Sequence, residues 1–156
     1  MANKNKKSID QDLIDRVIRG SQICHLSCCL EHQPYLVPIS FGYDGQAIYI
    51  HTSQTGKKIA IFEKNPRVCL SFVAHAALAP DSDQACKFSF ESSSVIAEGR
   101  IQEITITEEK IASLNQIMAH YSDQEWAYPE ESVAKTRTWK IILENPTARI
   151  SPDPAS

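Results

Sequence analysis

Apolar and polar residues alternate along several stretches of the chain, and helical spacing replaces the alternation at a few places. Ser8 is placed to cap a helix running to about Arg19, with Ile9, Leu13, Ile14, Val17 and Ile18 as its apolar stripe and Gly20 as its end. Gln22 to Leu30 reads as a strand. Cys24 and Cys28 share one face of it and Cys29 points the other way. Pro34 to Tyr43 and Gln46 to Thr52 read as two more strands. Asp44-Gly45 lies between them, and that dipeptide between alternating apolar runs predicts a hairpin. In the first of these strands Tyr35, Val37, Ile39 and Phe41 share a face. Leu36, Pro38, Ser40 and Gly42 form the other, a thin face with room for a flat group against the backbone. Lys57 to Lys64 reads as a short helix stopped by Asn65-Pro66. Further strands are expected from Arg67 to about His75, from Phe88 to Ile106 with a bend at Gly99, and from Thr136 to Glu144. Residues 76–87 read as a polar loop. Thr107, with acids in the first turn, opens a helix whose stripe is Ile111, Leu114, Met118 and Tyr121. Strands in this number with few helices can close a small antiparallel barrel.

At 156 residues the chain is expected to form one domain over residues 8–145, after a disordered stretch at 1–7 and before a loose tail at 146–156 that holds three prolines. Hydrophobic content is 42% and charged content 22%, which is a globular composition. The formal net charge of −3 argues against a general nucleic-acid binder. No apolar run is as long as a membrane span, and MANKNKKSID lacks the apolar region of a signal peptide. A cytoplasmic protein is expected by default. The five cysteines are odd in number, so free thiols are expected. CHLSCC contains no C-x-x-C pair, and no metal site is expected there.

The chemistry gathers at Thr52 to Lys58. Ser53, Gln54, Thr55 and Gly56 lead into a helix whose first turn carries Lys57 and Lys58. Cations there oppose the helix dipole at a cost of a few tenths to about 1 kcal/mol each. A bound anion reverses the sign, because backbone N–H groups, hydroxyls and two ammoniums then converge on it. That favours a phosphate site over a solvated lysine pair. His51 precedes the turn. If Ile48 and Ile50 face the core, its ring faces outward into the cleft, where an imidazole could donate to a ligand. No Ser-His-Asp or Cys-His set follows from spacing.

The run PYLVPISFGYDGQAIYIHTSQTGKK, followed by NPRVCLSF and later by SSVIAEGRI, resembles the pyridoxamine-5′-phosphate-oxidase-like FMN-binding split barrels, nearest their nitroimidazole-resistance (5-nitroimidazole reductase-like) branch. The carriers are P-Y-x-x-P-x-x-F-x-Y, I-Y-x-H-[ST], G-[KR]-K and S-V-x-x-x-G-[KR], over roughly residues 9–145. The resemblance implies a mainly β fold, a six-stranded antiparallel split barrel with flanking helices, forming a homodimer with FMN at the interface. It places the phosphate grip on Lys57, Lys58 and Thr52, and the strand along the flavin ring on Val37, Pro38, Ile39 and Ser40. It adds His51 and Ser94 as cofactor contacts. The arginine of the oxidases proper is Leu36 or Val37 here, and WKIILENPTARIS lacks their C-terminal arginine and histidine signature, so the resemblance does not carry vitamin B6 oxidation.

The implied function is an FMN flavoprotein passing electrons from NADH or NADPH to a small acceptor of the nitro or quinone type. A non-catalytic flavin- or ligand-binding protein, or a redox sensor using Cys28-Cys29, is the alternative. Haem or a deazaflavin in place of FMN also stays open. There is no G-x-G-x-x-G, so a nicotinamide donor would dock over the flavin itself.

Overall fold

The computed structural model describes residues 7–151. In chain order the elements are β1 (Lys7–Ser8), α1 (Gln11–Gly20), β2 (Cys24–Leu30), β3 (Gln33–Ile39), β4 (Gly42–Tyr43), β5 (Ala47–Thr52), α2 (Lys57–Lys64), β6 (Arg67–Ala79), β7 (Ser89–Ile104), α3 (Thr107–Tyr121), α4 (Glu130–Lys135) and β8 (Arg137–Ser151). All strand pairs are antiparallel, in the order β3-β2-β6-β7-β8-β5-β4, with β1 on β8. Six strands are long, as expected, and the two-residue β1 and β4 are additional.

The ends of that order are β3 and β4, which are neighbours in sequence. Ile39 and Gly42 are separated by residues 40–41, a reach of at most about 11 Å of extended chain. The sheet must therefore roll until its two ends nearly meet, which gives a barrel split between β3 and β4. Pro34 to Tyr43 is thus two strands and not one. β3 pairs with β2 across a two-residue turn at Glu31 and His32, both at positive φ. Only Gly42–Tyr43 pairs with β5 across the predicted turn. There Asp44 accepts hydrogen bonds from the backbone of Gln46 and Ala47 at 2.9 and 2.7 Å, and Gly45 takes φ 99°. What interrupts the long strand is a distant contact. Phe41 N–H donates to the Tyr121 hydroxyl at 3.1 Å, away from any ladder partner.

The inner face is built by alternation, broken where Ala47 and Thr138 are buried beside Ile48 and Trp139. Leu26, Ile48, Ile50, Leu70, Phe72, Val95, Ile101, Trp139 and Ile141 are all buried, and Cys24 and Cys28 join them. α1 adds Ile14, Val17 and Ile18. It is capped by Asp10, whose carboxylate accepts from Leu13 N–H at 3.1 Å, and not by Ser8. Ile9 falls outside the helix and is exposed. α3 buries Ser113 and Ile117 in place of the expected stripe, and Tyr121 is exposed. Its backbone runs so close to β4 that a Cβ on Gly42 would meet Gln116 main-chain atoms at 2.4 Å.

β6 continues past His75 to Ala79, paired with the expected start of β7, so the polar loop is shorter than expected. The tail differs more. β8 does not end at Glu144 but runs to Ser151, paired with both β7 and β1. Asn145 at φ 49° and Pro146 lie together opposite Ala97, the register shifting between Ile96 and Glu98. A bulge accommodates a proline inside a ladder, which is why this proline does not mark a loose end. Of the stretch expected to be disordered, residues 1–7, Lys7 is instead paired with Arg149 in β1; residues 1–6 and the last five residues of the tail lie outside the described residues. All five cysteines are free thiols. No helix among the described residues is long and apolar enough to cross a membrane.

Candidate functional site: the start of helix α2 and the edge strand β3

Helix α2 is anchored by Ile59, Ile61 and Phe62, which are buried against the barrel. Phe62 meets Trp139 edge to face at 5.4 Å. Its start is built differently. Gly56 is the N-cap at φ 139°, a conformation open to glycine, and offers no side-chain cap. The first-turn N–H groups therefore have no side-chain acceptor among the described residues, and no acid lies in that turn. Lys57 is exposed, with its ammonium 5.0 Å from the centroid of the Tyr35 ring on β3. Lys58 is half-buried. Among the described residues no carboxylate forms an ion pair with either lysine. Free N–H groups, a positive dipole end and two uncompensated ammoniums make a site that fits a phosphate group.

Ile48 and Ile50 face the core, so His51 faces outward with Tyr49. Its surroundings lower the imidazole pKa from 6.5, first by withdrawing water from the ring and then through the charge of Lys58. At neutral pH the ring is uncharged and can donate from one nitrogen and accept at the other. Thr52 is a different case. It is 5% exposed, its Oγ1 accepts from Trp139 Nε1–H at 2.9 Å, and its hydroxyl donates to Ser53 O at 3.0 Å. Its side chain braces the turn from below, and its donor is already used.

Strand β3 stands at the end of the strand order, so the main-chain groups that do not face β2 are unpaired by any strand. Val37 and Ile39 pack inward against the core. Pro38 and Ser40 are exposed. Pro38, Ile39 and Ser40 line a cavity of about 720 Å³ together with Arg19, Ile23 and Tyr121. At its back His120 Nε2 donates to Ser21 O at 2.7 Å, with its ring 4.3 Å from that of Phe41. Tyr121 donates its hydroxyl to Gln22 O at 2.8 Å.

The segment from residue 10 to 151 matches the family described as "Pyridoxamine 5'-phosphate oxidase". The chain belongs to this family. A candidate 5-nitroimidazole antibiotic resistance protein from Bacteroides thetaiotaomicron has the same structure at a TM-score of 0.85, with 30% identity over 94% of this chain and 87% of its own. The FAD and heme binding protein from Mycobacterium smegmatis superposes at 0.85 with 18% identity over 95% of this chain and 76% of its own, a likeness of fold. An uncharacterized protein of Rhizobium meliloti is 33% identical over 92 residues, 59% of this chain; the chain spans about half, 53%, of that relative's length.

Family membership makes the distribution of the expected site residues informative. Tyr35 under Lys57 brings β3 and the start of α2 together, and Lys58 brings His51 to the same end of the barrel. Ser94 is not brought there. It sits on β7 opposite Val73 and Arg149, and the row Pro38–His25–Ser71–Ile96 puts β7 three strand spacings, roughly 14 Å, from β3. Sequence reasoning missed Tyr35 as a neighbour of Lys57. It also missed Arg137, which lies beside the turn and holds Gln54 O at 3.4 Å. No local pattern marks either contact, because each joins segments far apart in the chain.

Proposed function

We propose that the protein is an FMN-dependent oxidoreductase, carrying electrons from NADH or NADPH to a small acceptor of the nitro or quinone type. The observation that carries this reading is the uncapped start of α2, with Lys57 and Lys58 paired to no carboxylate among the described residues, in a chain of this family. Lys57, Lys58 and the first-turn N–H groups hold the phosphate. The free edge of β3 and the thin face at Pro38 and Ser40 hold the ring, and His51 donates one hydrogen bond from its neutral imidazole. Bound flavin supplies the electron and hydride chemistry, and the protein supplies position and electrostatics. The description of the Bacteroides neighbour supports a nitro acceptor, and the neighbours at lower identity support a flavin.

A homodimer belongs to the same proposal. Leu36, Val73 and Ile96 on the outer face of β3, β6 and β7, with Ile23 just before β2, are each 44% or more exposed, a face suited to a second copy. Only such a copy would carry Ser94 to the flavin held by the other chain's β3. Light scattering tests it, and a flavin-loaded monomer at micromolar protein would overturn it. The cytoplasm remains the proposed location.

The redox-sensor reading draws on Cys28, Cys29 and Cys69, which line one shallow cleft. Burial raises the pKa of Cys28 and of Cys69, so both stay thiols at neutral pH and are weak nucleophiles. That favours the enzyme. Oxidation of NADPH by the flavin-loaded protein, with a nitroimidazole or a quinone as acceptor, separates the two. Turnover with either acceptor supports the oxidoreductase, and flavin binding without turnover supports the non-catalytic reading.

A further inference from the structure

Arg137 opens β8 opposite Thr52, and its guanidinium makes five contacts with four residues. Its Nε and one terminal nitrogen donate to the two carboxylate oxygens of Glu103 at 2.7 and 2.6 Å. Its other terminal nitrogen donates to Glu63 at 2.8 Å and to Gln54 O at 3.4 Å. The plane lies 4.7 Å from the centroid of the Trp139 ring. Glu63 is in the last turn of α2, and Gln54 is in the turn before that helix. Trp139 in turn holds Thr52 and packs on Phe62. The segment from residue 52 to 63 is therefore fastened at its start, before its glycine and at its far end, to one stacked pair of side chains. Two carboxylates close to the turn are occupied by Arg137 and not by the lysines.

We propose that Arg137 is a positioning residue for the phosphate site. It fixes the turn and helix that carry Lys57 and Lys58, and it keeps Glu63 and Glu103 bound so that neither competes with a phosphate for those ammoniums. Nothing in the local sequence marks it, because its acidic partners lie 34 and 74 residues away. The proposal rests on the phosphate site proposed above and goes beyond it. The bonds it assigns are charge-assisted and bidentate, a geometry that lysine cannot reproduce.

The experiment is a flavin-fluorescence titration of the flavin-free protein with FMN and with riboflavin, which lacks the phosphate. Arg137→Gln should weaken FMN about 10- to 100-fold and leave riboflavin within about twofold. Glu63→Gln added to Arg137→Gln should recover part of the loss, since one freed carboxylate is then gone. Arg137→Lys, which keeps the charge but not the fork, serves if Arg137→Gln does not fold, and should fall between it and the parent protein. Equal losses for FMN and riboflavin, or no loss for either, would overturn the proposal. A Lys57→Ala, Lys58→Ala protein in the same titration separates the two levels. If it loses FMN selectively while the arginine variants do not, the phosphate site stands and Arg137 has only a structural part. If it does not lose FMN selectively, the phosphate site fails and this inference falls with it.

Discussion

Two groups of cations flank the same turn, and their surroundings are opposite. Arg137 is 15% exposed at its side chain and is saturated by Glu103, Glu63, a carbonyl and an indole face. Lys57 and Lys58 have no carboxylate among the described residues, sit at the wrong end of a helix dipole and follow an N-cap without a side-chain bond. Folding uses the first cation fully, takes only a ring-face contact with Tyr35 from Lys57, and makes no ion pair with Lys58 among the described residues. A charge arranged against stability is a candidate for binding a ligand. The contrast divides the scaffold from the proposed site.

Removing each cation should therefore have opposite consequences for the flavin-free protein. Arg137→Ala leaves Glu103 and Glu63 without their shared partner. It should destabilise by about 2–3 kcal/mol in chemical denaturation, below the value for a fully buried pair because both carboxylates reach water. A loss under about 0.5 kcal/mol would erase the contrast. Lys58→Ala should move stability the other way, raising it by about 0.3–1 kcal/mol as an unfavourable dipole contact is lost, whereas at Lys57 the lost Tyr35 ring contact offsets that gain. If the flavin-free Lys58→Ala protein is less stable than the parent, Lys58 belongs to the scaffold.

A smaller effect sharpens the picture at His51. Its pKa is lowered by burial and by Lys58, so the folded form binds a proton less readily than the unfolded chain does. Between the unfolded value of 6.5 and the lower folded value, the unfolded state holds more protons, and stability falls as pH drops through that window. Above 6.5 both states are neutral and the contribution is complete. His51→Gln should flatten this acid limb. Lys58→Ala should raise the His51 pKa in an NMR titration, and so should inorganic phosphate if it binds beside Lys58. An unmoved His51 resonance in both cases would separate the histidine from the anion site.

Much of the barrel was legible because alternation is a local signal. β2, β6 and β7 were read from it, and so was the outward direction of His51. Strand partners are not local. The Asp44-Gly45 turn was placed correctly, yet the strand before it divides at residues 40–41 because the Tyr121 hydroxyl, eighty residues on, takes the Phe41 amide. Pro146 reads as a strand breaker until the bulge opposite Ala97 is seen. The same division holds at the site. Lys57, Lys58 and His51 form a cluster in sequence. The bond that Trp139 makes to Thr52 was not legible, because the two lie eighty-seven residues apart.

The measurement that bears most directly on the central claim is the difference in affinity between FMN and riboflavin for the Lys57→Ala, Lys58→Ala protein. The double change should weaken FMN by about 3–6 kcal/mol, at about 1.5–3 kcal/mol for each charge-assisted contact, and barely alter riboflavin. Equal losses for the two flavins would contradict a phosphate site at the start of α2.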